Sequence, residues 1–141
     1  MEIHTVKTET ELKDAYKIRF EVFVDEQKVP TELEIDELED EAIHCVGYHE
    51  GQPIAASRLR FVDNYAKMER ICVAKSQRGK GYGKDLLLYM EDIATQRQYH
   101  TFKLHAQVQA TAFYETLGYQ VVSEEFMDAG IPHVTMVKQI G

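Results

Sequence analysis

The chain has 141 residues, a formal net charge of −8 and 28% charged residues, which suits one soluble globular domain with a real core. It contains no run of about 18 apolar residues, so no helix is expected to span a membrane. The polar, acidic opening MEIHTVKTETEL does not read as a signal peptide. Cys45 and Cys72 lie in apolar stretches without CxxC spacing, which points away from a metal site and toward two buried free thiols in a reducing cytoplasm.

Ile3 to Val6 reads as a short strand. Thr10 is a candidate N-cap for a helix reaching about Val24, with Leu12, Ala15, Tyr16, Arg19, Val22 and Phe23 at helical spacing. In DEQKVPTELEIDELEDEA, Pro30 and the charge density predict that most of the stretch is loop or a ragged turn of helix. IHCVGY and PIAASRLRFV, separated by HEGQ, predict a hairpin, and Asp63-Asn64 turns the chain into KMERICV. A helix is expected from about Gly81 to Arg97, with Leu86, Met90, Ile93 and Arg97 on one stripe. TFKLHA reads as a strand, and TAFYETLGY as a short helix closed by Gly118. YQVVS and HVTMVK give the last strands, joined by EEFMDAGIP. No repeat, linker or low-complexity tract divides the chain, so one domain is expected over 1–141. The fold class is α/β, a mixed sheet with a central right-handed β-α-β crossover and helices on both faces.

The negative charge is concentrated. ELEIDELEDE, Glu32 to Glu41, holds seven of the 24 acidic residues; without it, acids and the 16 bases nearly balance. Nothing basic enough for nucleic acid is present. The segment reads either as a solvated loop or as an attractor for a cationic substrate.

The stretch RICVAKSQRGKGYGKDLL leads from a strand through three alternate glycines into an apolar helix. Glycines there let successive backbone N–H groups point into one concavity, and the following helix adds its unsatisfied N–H groups and positive dipole end. With Arg78, Lys80 and Lys84 at the rim, this is a phosphate site in the making. It matches neither the NTPase P-loop nor the dinucleotide fingerprint.

QRGKGYGKDLL resembles the acetyl-CoA loop of the GNAT superfamily of N-acetyltransferases, pattern [Q/R]-x-x-G-x-[G/A], through Arg78, Gly81 and Gly83. QVQATAFYETLGY is similar to that family's later signature N-x-x-A-x-x-F-Y-x-x-x-G-[F/Y]: Ala110, Phe113, Tyr114, Gly118 and Tyr119 match, and Gln107 stands where Asn is usual. IRFEVFVDEQ and GIPHVTM further resemble a small bacterial branch of acetyltransferases.

The resemblance implies an acyl-CoA N-acyltransferase fold and transfer of the acetyl group of acetyl-CoA to a primary amine by direct attack on the thioester, with no metal. It implies Arg78, Gly79, Gly81, Gly83 and Lys84 at the CoA pyrophosphate, and the backbone of Ile71 and Val73 along the pantetheine arm. Gln107 is a further cofactor contact. Fourth and fifth strands that splay apart would hold the thioester. Tyr114 is implied as the acid for the departing thiolate, the Val73 N–H as the oxyanion donor, and Glu69 or His105 as the base. Glu26 and His133 fall in segments that would line the acceptor pocket. The acceptor is expected to be a small-molecule or peptide amine, and the acidic loop suggests a cationic one such as a polyamine, an aminosugar or a lysine side chain. A homodimer is compatible with the last strands. The alternative in another class is a non-catalytic CoA-binding regulatory module.

Overall fold

Thr8 starts the first helix, because its Oγ1 accepts from the Glu11 N–H at 3.1 Å. Thr10, the expected cap, lies inside that helix, too far along to accept the free N–H groups. The computed structural model describes residues 1–141. In chain order its elements are β1 (Glu2–Thr5), α1 (Glu9–Arg19), a π-helical segment (Phe20–Glu26) and α2 (Thr31–Glu34). Then come β2 (Ile43–His49), β3 (Gln52–Val62), β4 (Tyr65–Val73), α3 (Tyr82–Gln96) and β5 (Thr101–Gln107). The chain ends with α4 (Thr111–Thr116), β6 (Gln120–Val121), β7 (Phe126–Asp128) and β8 (Ile131–Gln139).

One eight-stranded sheet carries all of these strands, in the order β1-β2-β3-β4-β5-β8-β6, with β7 also paired to β8. Only β4 and β5 are parallel, and α3 is their crossover, as the expected mixed sheet requires. The β7 hairpin stands where the sequence suggests only a connection. Ala129 and Gly130, at φ 53° and 78°, form its tight turn and let Phe126–Asp128 fold back on β8.

Strand alternation feeds two cores. On one face α3 sets Leu86, Leu87, Met90 and Ala94 against Cys45, Leu59, Met68 and Phe102. Ile93 and Arg97 of the expected stripe stay outside this fully buried row, because Leu87 and Ala94 fill the inner face. On the other face α1 sets Ala15, Ile18 and Val22 against Val46, Ala56 and Cys72.

A bulge interrupts the β3–β4 ladder. Ala56 pairs with Cys72 but Arg58 with Glu69, so β4 carries one residue more than β3 over this step. Arg70 takes φ +56°, strained for a residue with a Cβ. Its side chain holds the kink: Nε lies 2.9 Å from Glu34 Oε2, and the guanidinium also reaches Asp36 and the Leu33 carbonyl. The pairing of β4 with β5 ends at Met68–Leu104, just before the bulge. Beyond it the two strands diverge.

The acidic stretch is thereby explained, and the solvated-loop reading is corrected. Arg19 is fully buried; it donates to Glu34 at 2.6 Å and to both oxygens of Glu39 at 2.9 Å. Arg58, 1% exposed, binds Asp36, Glu39 and Glu69 at 2.8–2.9 Å. Two buried guanidiniums cannot stay unpaired, and this loop is their counter-charge.

Removing one partner leaves a buried charge uncompensated. Glu39→Ala is expected to destabilise the fold by about 3–5 kcal/mol in urea denaturation at pH 7. Burial alone would raise the Glu39 carboxyl, but Arg19 and Arg58 outweigh it and bring it down to about 2. Glu69 is likewise about 2. These depressed values add stability above the ordinary carboxylate value of 4.5 that is lost as pH falls toward 2. Glu34, raised by its burial, pulls the opposite way. Denaturation midpoints should therefore fall between about pH 4.5 and pH 2, with a smaller drop in Glu39→Gln.

Candidate active site

The divergence of β4 and β5 opens a cleft of about 1220 Å³. Strand geometry decides what its walls offer. The Ala74 N–H donates to the Ile54 carbonyl at 2.8 Å, so by alternation the Val73 N–H faces away from β3 and into the gap. The Val73 N–H is therefore free to donate to an extended ligand or to an oxyanion.

At the end of β4 lies the glycine loop. Gly79 and Gly81 stand at φ 81° and 82°, a region that disfavours side chains. Gly81 is also the N-cap residue of α3, and no side chain caps that end. The first N–H groups of a 15-residue helix thus face the cleft. At Gly83 a Cβ would make ordinary contact with Phe113 Cζ at 3.5 Å and Val73 Cγ2 at 4.0 Å. Loop, strand end and α4 meet at that point.

Lys84 is exposed at the rim. Arg78 is turned aside. Its Nε donates to the Val73 carbonyl at 3.0 Å, and its two terminal nitrogens form a forked pair with Glu26 at 2.7 Å each. That pair lowers the Glu26 carboxyl. Glu26 therefore meets the glycine loop and does not line the cleft, unlike the other expected site residues. Gln107 is also engaged: its amide nitrogen donates to Gln27 at 2.7 Å, and its oxygen accepts from Gln109 at 2.6 Å.

Tyr114 comes from α4, packed edge-on against Phe113 and Tyr119. Burial pushes its phenol up to about 12, so it is a neutral donor throughout the physiological range. The residue lines the cleft. Glu69 lies beside the bulge, clamped by Arg58 at 2.9 Å, Arg60 at 2.8 Å and Lys67 at 3.3 Å. Its burial opposes ionisation, but the Arg60 bond and the three charges win and hold it at about 2. A carboxylate so stabilised is a weak proton acceptor.

On β5 the expected alternation holds: Phe102, Leu104 and Ala106 are buried, and His105 faces the cleft. Burial, then the charge of Lys67, lower its pKa and keep it neutral near pH 7. His133 faces Gln107 across the β5–β8 pair. The Phe126 ring lies between the two imidazoles, edge-on to His105 and stacked on His133.

Sequence reasoning misses Gln27, Phe126 and the clamp on Glu69. Only the clamp has a visible signal: Arg58 and Arg60 stand inside an otherwise apolar strand. No cluster of three His, Cys, Asp or Glu side chains is arranged to hold a metal ion. No helix is long and apolar enough to cross a membrane.

A mixed sheet splayed beside a glycine-rich helix N-terminus defines an acyl-CoA N-acyltransferase fold. An acyl-CoA N-acyltransferase from Pseudomonas aeruginosa superposes with a TM-score of 0.86 at 28% identity, covering 97% of each chain. The family model for the acetyltransferase (GNAT) domain matches residues 6–140, and the chain belongs to that family. It is 51% identical to a Bacillus subtilis protein described as the uncharacterized N-acetyltransferase YjcF, over 94% of this chain and 95% of that one. It is 45% identical to YyaT of the same organism, over 99% and 97%. The protein is an acetyl-CoA-dependent N-acetyltransferase.

The conformation of the glycine loop is directly testable. Gly81→Ala forces a side chain into the left-handed region at a cost of about 1–2 kcal/mol. Calorimetric titration should show acetyl-CoA binding weakened about tenfold, with the fold retained.

Proposed function

We propose that this chain acetylates the primary amine of a small molecule or peptide in the cytoplasm, by direct attack of the amine on the thioester. The observation that carries this is the shared cleft: the inward-facing Val73 N–H, the uncapped start of α3 and Tyr114 all open into one space. The amides of Gly79, Gly81, Gly83 and Lys84 take the CoA pyrophosphate. The backbone of Ile71 and Val73 pairs with the pantetheine arm, which shares or displaces the Arg78 bond to the Val73 carbonyl. Arg78 then serves the loop as a strut to Glu26, and Gln107 reaches the cofactor only by exchanging a partner.

In the reaction, the amine lone pair forms the C–N bond and the carbonyl oxygen gains charge at the Val73 N–H. The C–S bond then breaks, and the Tyr114 proton goes to sulfur. A phenol near pKa 12 donates only as the new C–N nitrogen returns a proton to it. Glu69 acts as the counter-charge for Arg58, Arg60 and Lys67.

The acceptor needs no polycationic character. Glu34, Asp36 and Glu39 are occupied by Arg19, Arg58 and Arg70, which leaves Glu32 and Glu37 as the free acids of that stretch along the cleft. Val121 and Val122, 45% and 59% exposed on the β6 edge, offer a face to a second copy, and the mass in solution tests that.

Release of CoA thiol on mixing acetyl-CoA with spermidine, glucosamine or a lysine peptide tests the reaction. Tyr114→Phe should lower kcat about 100-fold while acetyl-CoA binds as before. Tight binding without thiol release from any amine supports the regulatory-module reading instead.

A further inference from the structure

Attack on the thioester needs an unprotonated amine. At pH 7 only about one in a thousand molecules of an ordinary alkylamine is in that form. Some group in the cleft has to take the proton. Glu69 is held by three cations at 2.8–3.3 Å. His105 faces the cleft, but no hydrogen bond orients its ring.

His133 differs from both. Its Nδ1 lies 2.7 Å from the Ile131 carbonyl oxygen, which can only accept, so Nδ1 carries the hydrogen. The neutral ring then has its lone pair on Nε2. Nε2 has no hydrogen-bond partner in the protein, and the residue lines the cleft. Two further contacts fix the ring: Phe126 stacks on it at 6.1 Å, and β8 is bonded on both sides, to β5 and to β7. A ring held in one tautomer, with an unpartnered nitrogen on a residue that lines the cleft, is what a general base requires.

We propose that His133 is the general base that deprotonates the acceptor ammonium. Nε2 takes one proton from the ammonium, and the freed lone pair attacks the thioester carbonyl carbon. The C–S bond breaks, sulfur takes the Tyr114 proton, and the surplus proton on nitrogen restores the phenol. The proton on Nε2 leaves to the solvent of the cleft, so one proton is released per acetyl group. The charged and polar groups that line the cleft on the strands around this ring are His105 and Gln107 on β5, Asp128 on β7, and Lys67 and Glu69 on β4.

The proposal rests on the transferase reading, so wild-type thiol release with the best of the three amines is measured first. Its absence overturns transfer, and with it the role of His133. With turnover in hand, kcat/KM is measured from pH 6 to pH 10 for wild type, His133→Gln and His105→Gln. His133→Gln should lose about 100-fold at pH 7, with the KM for acetyl-CoA unchanged. Its rate should climb about tenfold per pH unit and approach wild type about two units higher, near pH 9, as the amine supplies more of its own free base. Imidazole should restore turnover to His133→Ala at pH 7. A purely structural histidine gives neither the climb nor the rescue. A loss equal at every pH, or the same climb in His105→Gln and not in His133→Gln, overturns the proposal. If the Gln variant does not fold, imidazole rescue of His133→Ala decides alone, and its failure counts against His133.

Discussion

The fold turns on the guanidinium of Arg70. A non-glycine residue at φ +56° inside a strand is strained by about 1–3 kcal/mol and persists only where its surroundings enforce it. Here Glu34, Asp36 and two carbonyls of α2 do so. The same acids also satisfy Arg19 under the sheet and Arg58 within it. The bulge, the end of β4–β5 pairing and the position of α2 are therefore one arrangement. Without the bulge, β4 and β5 would continue as neighbours, and the Val73 N–H would be spent on a ladder bond.

Much of this is legible in the sequence where the signal is local. The hairpin turn at Glu50-Gly51, the crossover through α3 and the Gly118 cap each follow from residues within a few positions of one another. So does the loop, since alternate glycines before an apolar helix have few other uses. Local misreadings are small offsets: Thr8 caps in place of Thr10, and Ala129-Gly130 turns a strand back in place of a plain connection.

The long-range charges are not legible in that way. Arg19 sits on the apolar stripe of α1 and Arg58 in an apolar strand, each a demand for a buried carboxylate. The supply, Glu34, Asp36 and Glu39, reads in sequence as surplus negative charge. Pairing the two needs the fold, because nothing local says which arginine each acid meets. The site residues divide along the same line. The loop amides are positioned by backbone rules, so their motif locates them. The working state of Glu69, Arg78 and Gln107 depends on partners as far as 80 positions away in sequence, and the motif says nothing about those.

These partners bind the two halves of the cleft into one unit. The C-terminal end of the π-helical segment reaches both lips of the splay: Glu26 holds Arg78 beyond β4, and the neighbouring Gln27 holds Gln107 at the end of β5. That segment leads into the loop and α2, whose Leu33 and Glu34 line the cleft. An arm lying along Val73 meets the Arg78 bond at the same carbonyl, and a contact at Gln107 competes with Gln27. Glu26 and Gln27 thus tie the π-helical segment, and the chain that follows it, to both lips of the cleft. Glu69 stays out of this exchange, since its three cations come from β3 and β4 alone. The rigid carboxylate and the exchangeable struts lie on opposite sides of the bulge. The cleft runs between them.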